Sequence, residues 1–187
     1  MPSFREQSAE LAATLAAFAP QAEQVDAVAS LLADSLLAGS TLFSCGNGGS
    51  AADAMHLTEE LIGRYRGDRR PLPAICLNAD VGALTCIAND FGYEHVFSRQ
   101  LRGLARPGDA LVVFSTSGRS PNILSALAAA RSCGVRSVAL LGNAGGPARA
   151  LADHAIVVPS ANSARIQELH GLILHAICEE VESRVGA

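Results

Sequence analysis

No lysine occurs in the chain: all 14 basic residues are arginine. A Schiff base with a sugar carbonyl or with pyridoxal phosphate needs a lysine amine, so lysine-dependent aldolase and transaminase chemistry is excluded. A Walker loop is excluded for the same reason, because G-x-x-x-x-G-K-[ST] requires that residue. No uncharged apolar run approaches the ~20 residues of a membrane-spanning helix, which predicts a soluble protein with no membrane partner. The apolar patch from Leu11 to Ala19 ends in Ala17-Phe18-Ala19, which looks like a signal-cleavage site, but Glu6 and Glu10 stand where positive charge is expected. Leu11, Leu15 and Phe18 repeat at helical spacing and predict an amphipathic helix instead. No C-x-x-C pair exists among the five cysteines. Cys45, Cys76, Cys86, Cys133 and Cys178 are odd in number, widely spaced and mostly set in apolar segments, which predicts reduced, buried thiols in a cytoplasm. With a net charge of −4 and no basic cluster beyond Arg64, Arg66, Arg69 and Arg70, nucleic acid is not expected as a direct partner. Those four arginines read as a solvated helix end.

At 187 residues the chain is long enough for one domain with a good core, and needs neither disulfides nor a metal to fold. Two helical patterns come first, Phe4 to Phe18 and Ala22 to Leu37, the second stopping at Gly39. Short apolar strands at Thr41–Cys45, Ala74–Leu77, Ala110–Ser115, Ser137–Leu141 and Ala155–Val158 then alternate with helical stretches, and a last helix runs from about Ser163 to Arg184. This alternation predicts an α/β fold, a doubly wound, mainly parallel five-stranded sheet flanked by helices. No repeat or low-complexity linker splits the chain, and the echo of Gly46-Asn47-Gly48-Gly49 in Gly142-Asn143-Ala144-Gly145-Gly146 reads as a turn. Ligands of open α/β sheets collect outside the carboxyl ends of strands, so residues 46–50, 78–80, 115–120 and 142–146 are the candidate site walls.

The stretch from Phe43 to Glu60 combines two chemistries. A glycine loop entering a helix can offer backbone N–H groups, Ser50 and the helix dipole to an anion, while His56 and Glu60, four residues apart, share a helix face. The plainer readings are a tight turn and a solvated ion pair worth a few tenths of a kcal/mol. Gly46, Gly48 and Ala51 also fit the dinucleotide pattern G-x-G-x-x-A, which expects an acid about 20 residues on; Asp80 lies too far along the chain for that role. After the strand ending at Ser115 comes Thr116-Ser117-Gly118-Arg119-Ser120, with Pro121 in the first turn of a helix. Four hydroxyls around a glycine at that position make a neutral phosphate cradle of O–H and N–H donors. The last helix carries Gln167, Glu168, His170 and His175. At ~100° per residue Gln167 and His175 lie ~80° apart and Glu168 and His175 ~20° apart, so spacing alone prefers Glu168. Each lone histidine on an apolar helix reads first as a hydrogen-bonded core residue rather than a ligand, so the residues alone do not choose among them.

Taken together, Ser44-Cys45-Gly46-Asn47-Gly48-Gly49-Ser50, Asp53-Ala54-Met55-His56, Glu60 with Gly63-Arg64-Tyr65, Asn89-Asp90-Phe91-Gly92, Ser115-Thr116-Ser117-Gly118 and Arg165-Ile166-Gln167-Glu168-x-His170 resemble the phosphoheptose isomerases of the sugar-isomerase (SIS) domain family. The likeness covers nearly the whole chain. It implies an aldose–ketose isomerase that converts sedoheptulose 7-phosphate to D-glycero-D-manno-heptose 7-phosphate through an enediol, for a bacterial surface polysaccharide. It implies phosphate binding by Ser115, Thr116, Ser117 and Ser120. It implies substrate contacts from Asn47, Gly48, Gly49, Ser50, Asn89, Asp90 and Gln167, and proton transfer by Glu60 and His175. Zn²⁺ held by His56, Glu60, Gln167 and His175 is implied as cofactor, and a glutamate that ligates metal is a weaker base. Residues 1–38 are implied to serve association, as a helical pair used in a homotetramer with sites at subunit interfaces, and residues 39–187 to form the phosphosugar-binding core. One departure is that Ser163 and Ala164 stand where relatives commonly carry an acid. The same fold includes non-catalytic phosphosugar sensors and a replication-initiator-binding paralogue, which need the cradle but not Glu60 and His175. A nucleotide-dependent oxidoreductase is the second rival, disfavoured by the imperfect fingerprint.

Overall fold

The computed structural model describes residues 2–185. Two helices lead, α1 (Phe4–Phe18) and α2 (Ala22–Leu37), joined by a single 3-10 turn. Then follow β1 (Leu42–Gly46), α3 (Gly49–Ile62), β2 (Ala74–Cys76), α4 (Val81–Phe91), a second 3-10 turn and α5 (Ser98–Leu104). β3 (Ala110–Ser115), α6 (Pro121–Cys133), β4 (Arg136–Gly142), α7 (Ala148–Leu151), β5 (His154–Val158) and α8 (Ser163–Val185) complete the chain. Each of the five expected strands is present, with bounds shifted by a residue at most. Local chemistry accounts for several of the boundaries: Ser3 and Glu6 exchange capping-box hydrogen bonds at the start of α1, and Pro121 occupies the first turn of α6.

All strand pairings are parallel and the order is β2-β1-β3-β4-β5. β1 and β3 are buried along their whole length, which is why they read as continuous apolar runs rather than alternating ones. Successive side chains point to opposite faces. Leu42, Val112, Phe114, Leu140 and Ile156 meet α2, α3 and α8 on one side, whereas Phe43, Cys45, Leu111, Val113 and Leu141 meet α4 to α7 on the other. Burying a side chain of the size of Ile173, Leu174 or Ile177, all on α8, contributes roughly 1.5–3 kcal/mol each. α1 is different: only Thr14 and Phe18 are buried, while Phe4 and Leu15 stay exposed.

The chain leaves β1 for β2 on one side and later returns to β3 on the other. The order therefore reverses at the β1/β3 junction, where Gly46 is paired with Phe114 and the two following loops splay apart to open a crevice. No helix among the described residues is long and apolar enough to cross a membrane. Cys45, Cys76 and Cys178 are buried as expected, and Cys133 is partly so, but Cys86 is exposed on α4. The arginine run after α3 is not uniformly solvated either, since the Arg69 side chain is only 2% exposed.

Candidate active site

The loops after β1 and β3, with one residue of α8, line a cleft at the switch point: Asn47, Ser50, Phe114, Ser115, Thr116, Ser117, Ser120 and Gln167. The hydroxyl loop is internally ordered. Ser115 Oγ accepts from the Gly118 N–H at 3.1 Å, and Ser117 Oγ accepts from the Arg119 N–H at 3.3 Å. Ser120 stands at the N-cap of α6, yet its side chain caps nothing, which leaves its hydroxyl free for a ligand. Gly118 has φ +60°, and a Cβ there would run into the Gly145 carbonyl. The 142–146 turn thus braces the cradle from behind, which is the structural use of the echo of the first glycine loop. Across the cleft, a Cβ on Gly49 would meet the Gln167 amide at 2.6–2.9 Å, so the start of α3 and the start of α8 touch through a glycine.

Three residues hold this arrangement together: Asn78, inside the expected 78–80 wall, and Asn122 and Tyr93, which the sequence did not flag. Asn122, buried in the first turn of α6, exchanges amide hydrogen bonds with Asn47 at 2.8 and 2.9 Å, and Tyr93 Oη donates to Asn47 Oδ1 at 3.0 Å. Asn78 receives the Gly46 N–H and donates to the Gly46 carbonyl. Asparagines and a tyrosine in otherwise ordinary helical or loop contexts carry no local signature. Asn89 and Asp90 are not in the cleft lining; they are exposed on the last turns of α4, with Asn89 Nδ2 donating to Asp90 Oδ1 at 2.7 Å. Asp80 caps α4, its carboxylate accepting from the Ala83 N–H, a role unrelated to ribose.

Further along the same pair of helices lies a second cluster. α3 and α8 run side by side in the same direction, Gly49 beside Gln167 and His56 with Glu60 beside His175. The ligand-capable atoms of His56, Glu60 and His175 all lie within 4.8 Å of one another. His56 Nε2 is 3.2 Å from Glu60 Oε1, the His56 and His175 rings meet edge to face at 5.0 Å, and Tyr65 flanks His175 at 5.7 Å. Glu60 is 15% exposed and His56 39%, so the pair is solvated on the histidine side and shielded on the carboxylate side. Two imidazole nitrogens and a carboxylate oxygen in this spacing could hold a metal ion. Asp53, one turn before His56, is half-buried with Oδ2 unpartnered; burial lifts its carboxyl to about 6 against the pull of His56.

Glu168, which helical spacing preferred, points away: it is exposed and accepts from Arg165 Nη2 at 2.6 Å. Gln167 and His175 do not aim at one point: Gln167 lies against Gly49 and His175 against His56 and Glu60. His170 is fully buried, with Nε2 3.2 Å from the Leu141 carbonyl and Phe114 against its ring. Burial lowers its pKa to about 4, so the folded state keeps it neutral and the Nε2–H donates. The unfolded chain binds a proton below about 6.5 that the folded chain refuses until about pH 4. Stability should accordingly fall as pH drops through that window, by up to a few kcal/mol. Urea unfolding at pH 7 and 4.5 checks this, with a flatter pH dependence expected in His170→Gln; an equal slope in the variant contradicts it.

The SIS-domain family model matches residues 6–142. The phosphoheptose isomerase of Akkermansia muciniphila is 47% identical over 181 residues, covering 97% of this chain and 96% of its own. The phosphoheptose isomerase of Paramagnetospirillum magneticum is 49% identical over 179 residues, with 95% and 93% covered. Among solved structures, the phosphoheptose isomerase of Neisseria gonorrhoeae superposes with a TM-score of 0.89 at 39% identity over 95% of both chains. With near-complete coverage in both sequence and structure, the chain belongs to the phosphoheptose isomerases of the SIS-domain family.

Proposed function

We propose that the chain interconverts sedoheptulose 7-phosphate and D-glycero-D-manno-heptose 7-phosphate through an enediol, the opening step of bacterial heptose synthesis. The observation that carries this reading is the convergence of His56, Glu60 and His175 on the same two helices that close the hydroxyl-lined cleft. Ser115, Thr116, Ser117 and Ser120 receive the phosphate, stabilised further by the N-terminal end of α6. Asn47, Gly48, Gly49, Ser50 and Gln167 position the sugar chain between cleft and cluster, with Asn89 and Asp90 approaching from α4. Glu60 takes a proton from C1 of the ketose, while His175 donates to the C2 oxygen as its carbonyl becomes the enediol. Glu60 then returns its proton to C2, and His175 accepts the proton of the C1 hydroxyl as the aldehyde forms. Atoms balance without an external oxidant.

His56, Glu60 and His175 would hold Zn²⁺, and Gln167 would join them as a fourth donor only by turning from Gly49 toward His175. Bound there, the ion supplies Lewis-acid polarisation of the substrate oxygen. A phosphosugar sensor or initiator-binding paralogue would not need Glu60 buried against two histidines, which favours the enzyme. Self-association into a homotetramer is supported by α1, whose Phe4 and Leu15 are left exposed, and by the apolar groove that Leu15, Phe18, Val25, Leu172 and Ile173 form between α1, α2 and α8. Light scattering should report four chains per particle; a monomer sinks that part. For the reaction, a coupled assay starting from sedoheptulose 7-phosphate should yield the aldoheptose phosphate, and NAD should not bind. Chelation should lower turnover, and readdition of Zn²⁺ should restore it. A chelated, metal-free protein with full turnover removes zinc from the scheme without touching the isomerase assignment.

A further inference from the structure

The last turn of α3 carries Glu60, and its carbonyls lie beyond the reach of intrahelical N–H groups. Gly63 N–H takes the Glu59 carbonyl at 2.7 Å. One side chain reaches the next two: Arg69 Nη2 donates to the Glu60 carbonyl at 2.6 Å and Nη1 to the Leu61 carbonyl at 2.8 Å, which also accepts from the Leu72 N–H at 3.1 Å. The guanidinium is 2% exposed, and a cation at a helix carboxyl end is favoured by the dipole. A buried arginine still calls for an acid. Glu182 of α8 provides it at ion-pair distance, with Oε1 3.9 Å from Arg69 Nε, which makes no hydrogen bond. The Glu182 carboxylate also accepts from the backbone of the intervening loop, from Arg66 N–H at 2.8 Å and Gly67 N–H at 2.9 Å.

Glu182 follows His175 by seven residues, about two turns, so both project toward α3 from one face of α8. His175 meets the side-chain end of the Glu60 turn; Glu182, through Arg69, meets its backbone. We infer that Arg69 and Glu182 are positioning residues that set the separation of α3 and α8, and so hold Glu60 in register with His56 and His175. The inference rests on the proposed role of that cluster in proton transfer and metal holding. Loss of the clamp leaves the Glu60 carbonyl unpaired and the Leu61 carbonyl with only the Leu72 N–H, and frees the turn. Displacement of a catalytic group by about 1 Å can cost on the order of 10²-fold in rate.

The test measures Zn²⁺ affinity by competition with a chelating dye, and kcat and KM for sedoheptulose 7-phosphate, in R69M, R69K and E182Q. R69M should lose about 10-fold or more in both Zn²⁺ affinity and kcat, the range seen when partners of metal ligands are removed, with KM within about 3-fold. R69K, which keeps the charge and can reach one carbonyl, should recover part of both; a merely structural role would lower the melting temperature and leave the kcat-to-KM split untouched. Folded R69M with wild-type Zn²⁺ affinity and kcat overturns the inference. Should R69M not fold, E182Q decides on the same readouts and in the same sense. Failure of the wild type to bind Zn²⁺ counts against the metal reading instead, and the kcat split then decides this one alone.

Discussion

Replacing Glu60 by glutamine should lower kcat for isomerisation by about 10²–10⁴-fold, the usual contribution of a positioned general base. The substitution keeps the volume, and the amide Oε1 still accepts from His56 across the 3.2 Å that separates the two side chains. The helix and its packing against α8 should therefore survive. What disappears is the capacity to take a proton from carbon. Phosphate is met by a separate loop on β3 and α6, so sedoheptulose 7-phosphate should still bind with nearly unchanged affinity. Turnover at the wild-type rate in Glu60→Gln would remove Glu60 from the mechanism.

Gly118→Ala should act on the other half of the site. At φ +60° an alanine is strained, and its Cβ would overlap the Gly145 carbonyl and approach the Gly146 nitrogen at 3.3 Å. Both are backbone atoms of a tight turn, so no flexible side chain can yield. The local strain should cost about 1–3 kcal/mol of stability. More telling is the functional consequence: the loop must lift away from the 142–146 turn, which breaks the Gly118 N–H to Ser115 Oγ bond and moves the hydroxyls that face the phosphate. KM should rise about 10-fold or more, if one charge-assisted hydrogen bond is lost, with a smaller change in kcat. Steady-state kinetics with a parallel melting curve separates the two effects. An unchanged KM in a destabilised variant would move the phosphate elsewhere.

The fold was largely legible because each strand of a doubly wound sheet is short, apolar and punctuated, and its period differs from that of the intervening helices. The two walls of the cleft were legible for a topological reason, since loops after strands that flank the order reversal must face each other. Residues whose roles come from tertiary contacts were not. Gln167 and Glu168 are neighbours on one helix, and only the position of Gly49 decides which of them faces inward. Arg69 belongs by sequence to a polar, arginine-rich loop, and its burial follows from two carbonyls at the end of α3 and from a glutamate more than 100 residues later. His56 and Glu60 carry a visible helical spacing, but the spacing says nothing of His175, which reaches them only because α3 and α8 lie parallel on the same face of the sheet.

The central claim is that Glu60 moves a proton between adjacent carbons of a sugar phosphate. NMR of sedoheptulose 7-phosphate turned over in D₂O reads that step directly, because a carboxylic acid exchanges its proton with solvent. The wild-type protein should place deuterium at C1 of the ketose and at C2 of the aldose as equilibrium is approached, and Glu60→Gln should do neither while still binding the sugar phosphate. Isomerisation by the wild type without any deuterium at either carbon, or wash-in undiminished in Glu60→Gln, would contradict it.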